Sequence, residues 1–209
     1  MRILICDDHP IVRKGLREIL EQEGAPVTIE ETASAEEALD AARKKEWDTV
    51  VLDITMPGRS GLEVLKDLKR ERPNVPVLVL SVHPAEQYAS RVLRAGASGY
   101  LTKESAPEEL LTAIRRIVRG GRYISPSVGE TLAASLGRPA GELPHQGLSD
   151  REFEIVRLIA SGKRASEIAD QLHLSVKTVS TYRARILQKL NLHTTAEIMR
   201  YAIHHGLVD

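Results

Sequence analysis

The sequence predicts an α/β unit followed by an all-α unit, with a linker between them. Over residues 1–119, short apolar runs alternate with amphipathic stretches, which is the pattern of a parallel sheet with crossover helices. Over residues 120–146, Gly and Pro become frequent and long apolar periodicity is lost. Residues 147–209 show helical periodicity without a strand pattern. These three segments are our predicted domain boundaries.

The first segment contains five apolar runs that predict five parallel strands, at residues 3–6, 27–31, 49–52, 77–80 and 99–101. Helices are expected between them, beginning near Pro10, Ser34, Ser60, Pro84 and Ala106. Several of these residues are typical of helix starts. The expected architecture is therefore a flavodoxin-like (βα)5 fold with a five-stranded parallel sheet.

The third segment predicts four helices, at about residues 150–161, 165–171, 176–190 and 195–205. Ser149 is followed three residues later by Glu152, which is the spacing of a capping box at the start of the first helix.

Composition narrows the class of protein. The chain has a net charge of zero and is 42% hydrophobic, which is enough to form a core in each unit. Its single cysteine, Cys6, lies in an apolar run, so we expect a small buried side chain rather than a disulfide. The N-terminus does not resemble a secretory signal and no apolar run reaches membrane-spanning length. We therefore expect a cytoplasmic location with no membrane partner.

Five polar side chains follow the ends of the predicted strands: Asp7, Asp8, Asp53, Ser81 and Lys103. In a parallel sheet such positions meet at one edge, where ligands bind. Three converging carboxylates call for a cation, and hard oxygen ligands favour Mg²⁺. A metal-bound carboxylate beside an ammonium and a hydroxyl is suited to attack a phosphoryl group. Asp53, placed before a turn that exposes it, is the candidate nucleophile.

This set of residues, together with Met56-Pro57, resembles the receiver domains of two-component response regulators across residues 1–119. The resemblance implies that a sensor histidine kinase phosphorylates Asp53. It also implies that Mg²⁺ is bound by Asp8, Asp53 and the main-chain carbonyl of Thr55, with Asp7 acting through water.

The same resemblance assigns roles around the phosphoryl group. Ser81 would donate a hydrogen bond to it and Lys103 would pair with it, while Tyr100 would be the aromatic switch residue that turns inward on activation. The domain would not be an enzyme in the usual sense. It would take part only in its own phosphoryl transfer and slow dephosphorylation.

Residues 171–196 contain no acidic side chain but carry Lys177, Arg183, Arg185 and Lys189. Ser175 is placed to cap a helix whose exposed side would present Lys177, Thr178, Ser180, Thr181, Arg183, Ala184 and Arg185. Cationic side chains contact phosphates or guanine, while hydroxyl and methyl groups reach bases. The sequence therefore predicts that this helix binds the major groove of DNA.

This part of the chain resembles the helix-turn-helix output domains of the LuxR and FixJ (NarL-like) class over residues 147–209. In that class the helix at 176–190 is the recognition helix and the last helix helps to form a dimer. The combined resemblance implies a transcriptional response regulator that binds a double-stranded operator and forms a homodimer when phosphorylated or DNA-bound. RNA polymerase is a candidate further partner. Members often have a basic residue before the last helix, where this chain has Thr194-Thr195.

Four other classes of protein share parts of this pattern. A phosphatase of the haloacid-dehalogenase type would need a second Asp two residues after the nucleophile, where this chain has Thr55. A flavin or dinucleotide binder would need a glycine-rich first turn instead of Asp7-Asp8-His9-Pro10. A regulator that never uses phosphorylation would usually lose one of the acids or the lysine. The terminal helices alone could also form a protein-binding bundle, but their basic stretch favours DNA.

Overall fold

The computed structural model describes residues 1–22, 26–56, 59–82, 85–125, 129 and 143–208. The chain divides into two compact units, Met1–Gly137 and Arg138–Asp209. The first is α/β and the second contains only helices in its described residues, so the fold class is confirmed.

The first unit is built on a parallel six-stranded sheet with the order β2-β1-β3-β4-β5-β6. The strands are β1 (Arg2–Cys6), β2 (Thr28–Thr32), β3 (Thr49–Asp53), β4 (Val77–Ser81), β5 (Gly99–Thr102) and β6 (Tyr123–Ile124). The helices are α1 (Pro10–Glu21), α2 (Ala35–Lys44), α3 (Gly61–Glu71), α4 (Ala85–Arg94) and α5 (Ala106–Val118).

Helices cover both faces of this sheet. Every residue of β3 and β4 is buried, so neither face of the central strands meets water. On one face, apolar side chains of α1 and α5, such as Leu16 and Ile114, join a single core cluster with Ile3 and Leu80. Contacts of α2 with β1, α3 with β3 and α4 with β5 cover the other.

The expected number of five strands was wrong, because β6 lies inside the segment that we predicted to be linker, residues 120–146. Two residues are too short to show alternation, so the sequence gave no strand signal. The pairing depends on Gly99, which lies opposite Tyr123. A Cβ atom on Gly99 would lie 2.8 Å from the Tyr123 carbonyl oxygen, so only glycine lets the two strands approach this closely.

The first described element of the second unit is a 3₁₀ helix (Pro144–Gly147), which also lies partly within the predicted linker. Its helices are α6 (Asp150–Ala160), α7 (Ala165–Leu172), α8 (Val176–Leu190) and α9 (Thr195–His204). The capping box is present: Ser149 Oγ accepts from Glu152 N at 3.3 Å, and Glu152 Oε2 accepts from Ser149 N at 2.7 Å. Four helices are thus found close to the predicted positions.

Cys6, which we expected to be buried, and Trp47 are both buried. Cys6 is fully buried, and burial raises the pKa of its thiol to about 12, so the thiol remains protonated and unreactive at neutral pH. Trp47 packs before β3, and its indole N–H donates to the Ala41 carbonyl at 3.0 Å.

Two glycine substitutions should affect the first unit in opposite directions. Gly99→Ala places a methyl group 2.8 Å from the Tyr123 oxygen and should destabilise the unit by about 1–3 kcal/mol. Gly15→Ala, inside α1 with no atom within 4 Å of the added Cβ, should stabilise it by about 0.5–1 kcal/mol. Urea unfolding followed by fluorescence of Trp47, the only tryptophan, measures both changes. Equal stability of the two variants would contradict the close approach of β5 and β6.

Candidate functional sites

The carboxyl ends of four strands bring the predicted polar residues together. Asp53 is the last residue of β3 and Ser81 is the last residue of β4, while Asp7 and Lys103 directly follow β1 and β5. Lys103 N donates to the Ser81 carbonyl at 2.8 Å, which fixes the start of the Lys103 loop against β4. Tyr100 on β5 pairs in register with Val79, and the side chains of Ser81 and Tyr100 are both fully buried.

Lys103 joins the two buried carboxylates. Its Nζ lies 2.7 Å from Oδ2 of Asp7 and 2.7 Å from Oδ2 of Asp53, and both acids are only 1% exposed. Burial raises the pKa of Asp53, although the charge of Lys103 opposes the rise. Burial alone would lower the pKa of Lys103, but the charges of Asp53 and Asp7 outweigh it and raise that pKa. The lysine therefore remains a cation and compensates the acids.

The first acidic loop is held by residues outside the predicted set. Asp7 Oδ1 accepts from His9 N at 2.8 Å, and Asp8 Oδ1 lies 2.8 Å from His9 Nδ1. Arg13 Nη1 donates to the Asp7 carbonyl at 2.7 Å, and its Nε donates to Glu31 at 3.1 Å. His9 could have been suggested by its position beside the acids. The role of Arg13 has no local signal, because its carboxylate partner lies on another strand.

The loop after Asp53 is shaped by a close backbone approach. Thr55 N donates to Asp53 Oδ1 at 2.8 Å, and Gly61 N donates to the Ile54 carbonyl at 3.2 Å. A Cβ atom on Gly61 would lie 2.3 Å from Ile54 Cα and 2.4 Å from the Asp53 carbonyl oxygen. Only glycine allows α3 to begin against the backbone of the acidic site. Sequence reasoning missed Gly61, since nothing local marks this contact.

The cluster fits a hard divalent cation. Asp7, Asp8, His9 and Asp53 each place one ligand atom so that these atoms lie within 4.8 Å of one another. Asp7 Oδ2 lies beside the Lys103 ammonium, and Asp8 Oδ1 lies beside the His9 imidazole. Both oxygens are buried, and neither receives a well-oriented hydrogen bond from the described residues. Carboxylate oxygens with spare acceptor capacity are the ligands that Mg²⁺ prefers.

Helix α8 presents a polar face to solvent. Val179, Ile186 and Leu190 are buried, and on the opposite side a stripe at helical spacing is exposed, formed by Lys177, Thr181, Ala184 and Gln188. Gln188 was not among the predicted DNA-binding residues. Of those predicted, six are exposed, namely Lys177, Ser180, Thr181, Arg183, Ala184 and Arg185.

Thr178 differs from the other predicted contacts because it takes part in the helix cap. Its side chain is half-buried, its Oγ1 lies 2.7 Å from Ser175 Oγ, and its N–H donates to that same oxygen at 3.0 Å. Thr194, where the family often has a basic residue, also acts as a cap. Its Oγ1 accepts from Glu197 N at 3.2 Å at the start of α9.

Lys189 belongs to the acid-free stretch of the sequence but is paired in three dimensions. Its Nζ lies 2.7 Å from Oε2 of Glu152, whose side chain is 4% exposed. Burial would raise the pKa of Glu152, but Lys189 and the capping bonds from Ser149 outweigh it and hold that pKa below its usual value. The charge of Lys189 therefore joins α8 to the start of α6.

Comparison with known proteins decides the family. Residues 3–115 match the family described as "Response regulator receiver domain", and residues 146–202 match "Bacterial regulatory proteins, luxR family". Response regulator UvrY of Escherichia coli strain K12 is 39% identical over 100% of this chain and 96% of its own. The chain belongs to the response regulators. Response regulator GacA of Pseudomonas aeruginosa is 37% identical over 100% of this chain and 98% of its own.

Solved structures agree with this assignment. The response regulator is similar to RcsB from Salmonella enterica serovar Typhimurium, solved bound to promoter rprA in the presence of the phosphomimetic BeF3−. The TM-score is 0.64 and identity 29%, over 96% of this chain and 98% of that one. A LuxR-family response regulator from Aurantimonas sp. SI85-9A1 covers 66% of this chain and 98% of its own, with a TM-score of 0.62 and 36% identity.

The receiver and the LuxR-type DNA-binding domain make this response regulator a two-component transcription regulator. Within the described ranges, none of its helices has both the length and the apolar character needed to span a membrane.

We expect Lys189→Gln to destabilise the second unit. The change leaves the buried carboxylate of Glu152 without its cation, at a cost of about 1–3 kcal/mol at neutral pH. Because the pKa of Glu152 is lowered in the folded state, this contribution is present at neutral pH and is lost as the pH falls through the range where the carboxyl protonates.

Amide hydrogen exchange in α6 and α8 measures this loss. Arg183→Gln is the matched control, because Arg183 is exposed on the same helix. Equal protection factors in the two variants would show that the Glu152–Lys189 pair contributes nothing.

Proposed function

We propose that the response regulator is switched by Mg²⁺-dependent phosphorylation of Asp53, and that phosphorylation promotes DNA binding through α8. The observation that supports this most is the bridge formed by Lys103 between the buried carboxylates of Asp7 and Asp53. A structural role alone does not require two acids and a cation to be buried together at a ligand-binding edge of the sheet.

Each residue has a distinct task in this proposal. The ionised carboxylate of Asp53 attacks the phosphorus atom of the donor, the bond from phosphorus to the donor's leaving atom breaks, and that atom keeps the electron pair, which leaves an acyl phosphate on Asp53. Lys103, already held beside Asp53, pairs with the added phosphoryl oxygens, and the Ser81 hydroxyl donates a hydrogen bond to one of them. Tyr100 would be the switch residue. It lies on β5, next to the strand that ends at Ser81, and its side chain is buried.

Asp8, Asp53 and the Thr55 carbonyl would hold Mg²⁺, with Asp7 contributing through water. When bound, the ion neutralises charge on the transferring phosphoryl group. His9 and Arg13 keep the acidic loop in place through their contacts with Asp7.

The phosphoryl donor would be a sensor histidine kinase in the cytoplasm. The receiver contributes to its own phosphoryl transfer and slow dephosphorylation and turns over no other substrate. The domain assignment that goes with this role is a receiver at 1–119, a linker at 120–146 and a DNA-binding domain at 147–209. The segment assigned as linker contains β6, although this strand pairs with the receiver sheet.

On the output side, α8 would enter the major groove of an operator. Lys177 and Arg185 would contact phosphates, and Ser180, Thr181 and Ala184 would face the bases. Arg183 is long enough for either role, and Thr178 would contribute from the half-buried first turn.

We further propose that phosphorylation or DNA binding promotes a homodimer, because one recognition helix reads only one half-site. RNA polymerase is a candidate partner of the DNA-bound form. We expect the dimer surface on α1, at the end of α5 or on the last helix, α9. In α1 and α5, Leu16 and Ile114 are buried within the receiver, whereas Ile11 and Val118 are 86% and 38% exposed. Any dimer surface on these two helices would therefore use the exposed pair.

Incubation with acetyl phosphate and Mg²⁺ should add one phosphoryl group to the protein, and Asp53→Ala should abolish the addition. Intact-mass spectrometry measures the added mass. Asp40→Ala, which removes an exposed carboxylate from α2, is the control and should label normally. Undiminished labelling of the Asp53 variant would contradict the proposal.

The labelled sample also tests the dimer. Analytical ultracentrifugation should show a shift toward twice the monomer mass on phosphorylation, and Asp53→Ala should remain unshifted. Identical sedimentation with and without donor, in both the presence and absence of DNA, would rule out this part of the proposal.

Thr181→Ala should change the choice of operator, and Lys177→Gln should not. Loss of a base contact costs about 1–3 kcal/mol of discrimination, whereas loss of a phosphate contact weakens binding to every sequence and flattens the salt dependence by about one unit. Binding isotherms on specific and scrambled duplexes at several salt concentrations separate these effects. Equal losses on both duplexes for Thr181→Ala would place the base-reading face elsewhere.

A further inference from the structure

The receiver carries three exposed arginines where α5 ends and the chain turns into β6. These residues, Arg116, Arg119 and Arg122, are called here the basal arginine patch. Residues 110–129 contain no acidic side chain. The patch lies at the edge of the sheet where the strands begin, opposite the acidic site, because parallel crossover helices end at that edge.

Six other arginines on the receiver are paired with carboxylates: Arg13, Arg17, Arg43, Arg59, Arg70 and Arg72. Arg13 and Arg17 both contact Glu31, and Arg43 forms two hydrogen bonds of 2.7 Å with Glu71. Within the ranges that the structure describes, no ion pair is formed by Arg116, Arg119 or Arg122.

One neighbouring cation, Lys69, adds positive charge beside the patch, and the neighbouring acid Glu109 is hydrogen-bonded to Tyr123 instead of to an arginine. Glu109, on the same helix, accepts a 2.6 Å hydrogen bond from the Tyr123 hydroxyl. Lys69 lies close enough for Arg122 to affect it: burial lowers the pKa of Lys69, and the charge of Arg122 lowers it further. Like charges held this close favour the binding of an anion.

Stabilisation of the helix end does not account for the whole patch. A cation in the last turn complements the helix dipole, which explains Arg116. Arg119 stands at the C-cap, and Arg122 follows the turn at Gly120, whose φ is +84°. The dipole effect falls off within the last turn, so it gives no reason for the arginine at position 122.

DNA is the partner that the rest of the chain makes available to this patch. The protein has no net positive charge, and the charge of Lys189 is taken up by Glu152, so α8 offers few cations for phosphates. The patch and α8 belong to one chain, with 19 residues between β6, which ends at Ile124, and the 3₁₀ helix that begins at Pro144. A duplex held by α8 is therefore presented to the patch at a high effective concentration.

We propose that the basal arginine patch binds the DNA phosphate backbone and adds sequence-independent affinity to the contacts made by α8. Guanidinium groups suit this role because they bind phosphate oxygens through two parallel hydrogen bonds. The receiver would then contribute directly to DNA binding, in addition to controlling it.

The test uses the full chain and a scrambled duplex of about 30 base pairs, roughly 100 Å long. Fluorescence anisotropy gives the binding constant at several salt concentrations. For Arg119→Gln with Arg122→Gln, the slope of log binding constant against log salt should be flatter by about 2, since each phosphate contact contributes about 0.9. Arg119→Lys with Arg122→Lys keeps both charges and should retain most of the slope.

Lys44→Gln with Lys66→Gln is the matched control, because it removes the same charge from exposed positions on α2 and α3. Its slope should equal that of the native protein. An unchanged slope in the Arg-to-Gln variant, or an equal loss in the control, would overturn the proposal. Trp47 fluorescence verifies that each receiver is folded. Lys177→Gln, measured beside these variants, reports separately on the contacts proposed for α8.

Discussion

The receiver depends on the placement of one ammonium group between two buried carboxylates. Asp7 follows β1 and Asp53 ends β3, and their charges would repel in a region of low dielectric without Lys103 between them. Since each residue is fixed at a strand end, the three charged groups meet only if β1, β3 and β5 keep their observed register across the sheet. Sheet register and site chemistry are therefore specified by the same geometry.

Much of this arrangement could be predicted from the sequence, because apolar runs locate the central strands. The runs at 49–52 and 77–80 each fall one residue short of the observed strand, and the missing residue is the polar one, Asp53 or Ser81. A polar residue at the end of a buried run marks the point where the strand meets the ligand-binding edge. The carboxylates and Lys103 could thus be grouped before any distance was known.

What could not be predicted depends on contacts between distant residues. Lys189 appears basic and exposed in the sequence, but its partner Glu152 is brought to it only by the packing of α6 on α8. Gly61 shows no local requirement for glycine, because the atoms that exclude a side chain belong to Ile54 and Asp53. Periodicity reports which face of an element is buried and carries no information about which neighbour covers it.

The short strand β6 also protects one edge of the sheet from pairing with other molecules. Without it, Gly99 and Tyr100 would lie on an open edge whose unpaired N–H and C=O groups could accept a strand from another molecule. β6 covers these groups and, being only two residues long, is itself a poor template for further strand addition. The receiver is thereby protected against indiscriminate aggregation through this edge of its sheet.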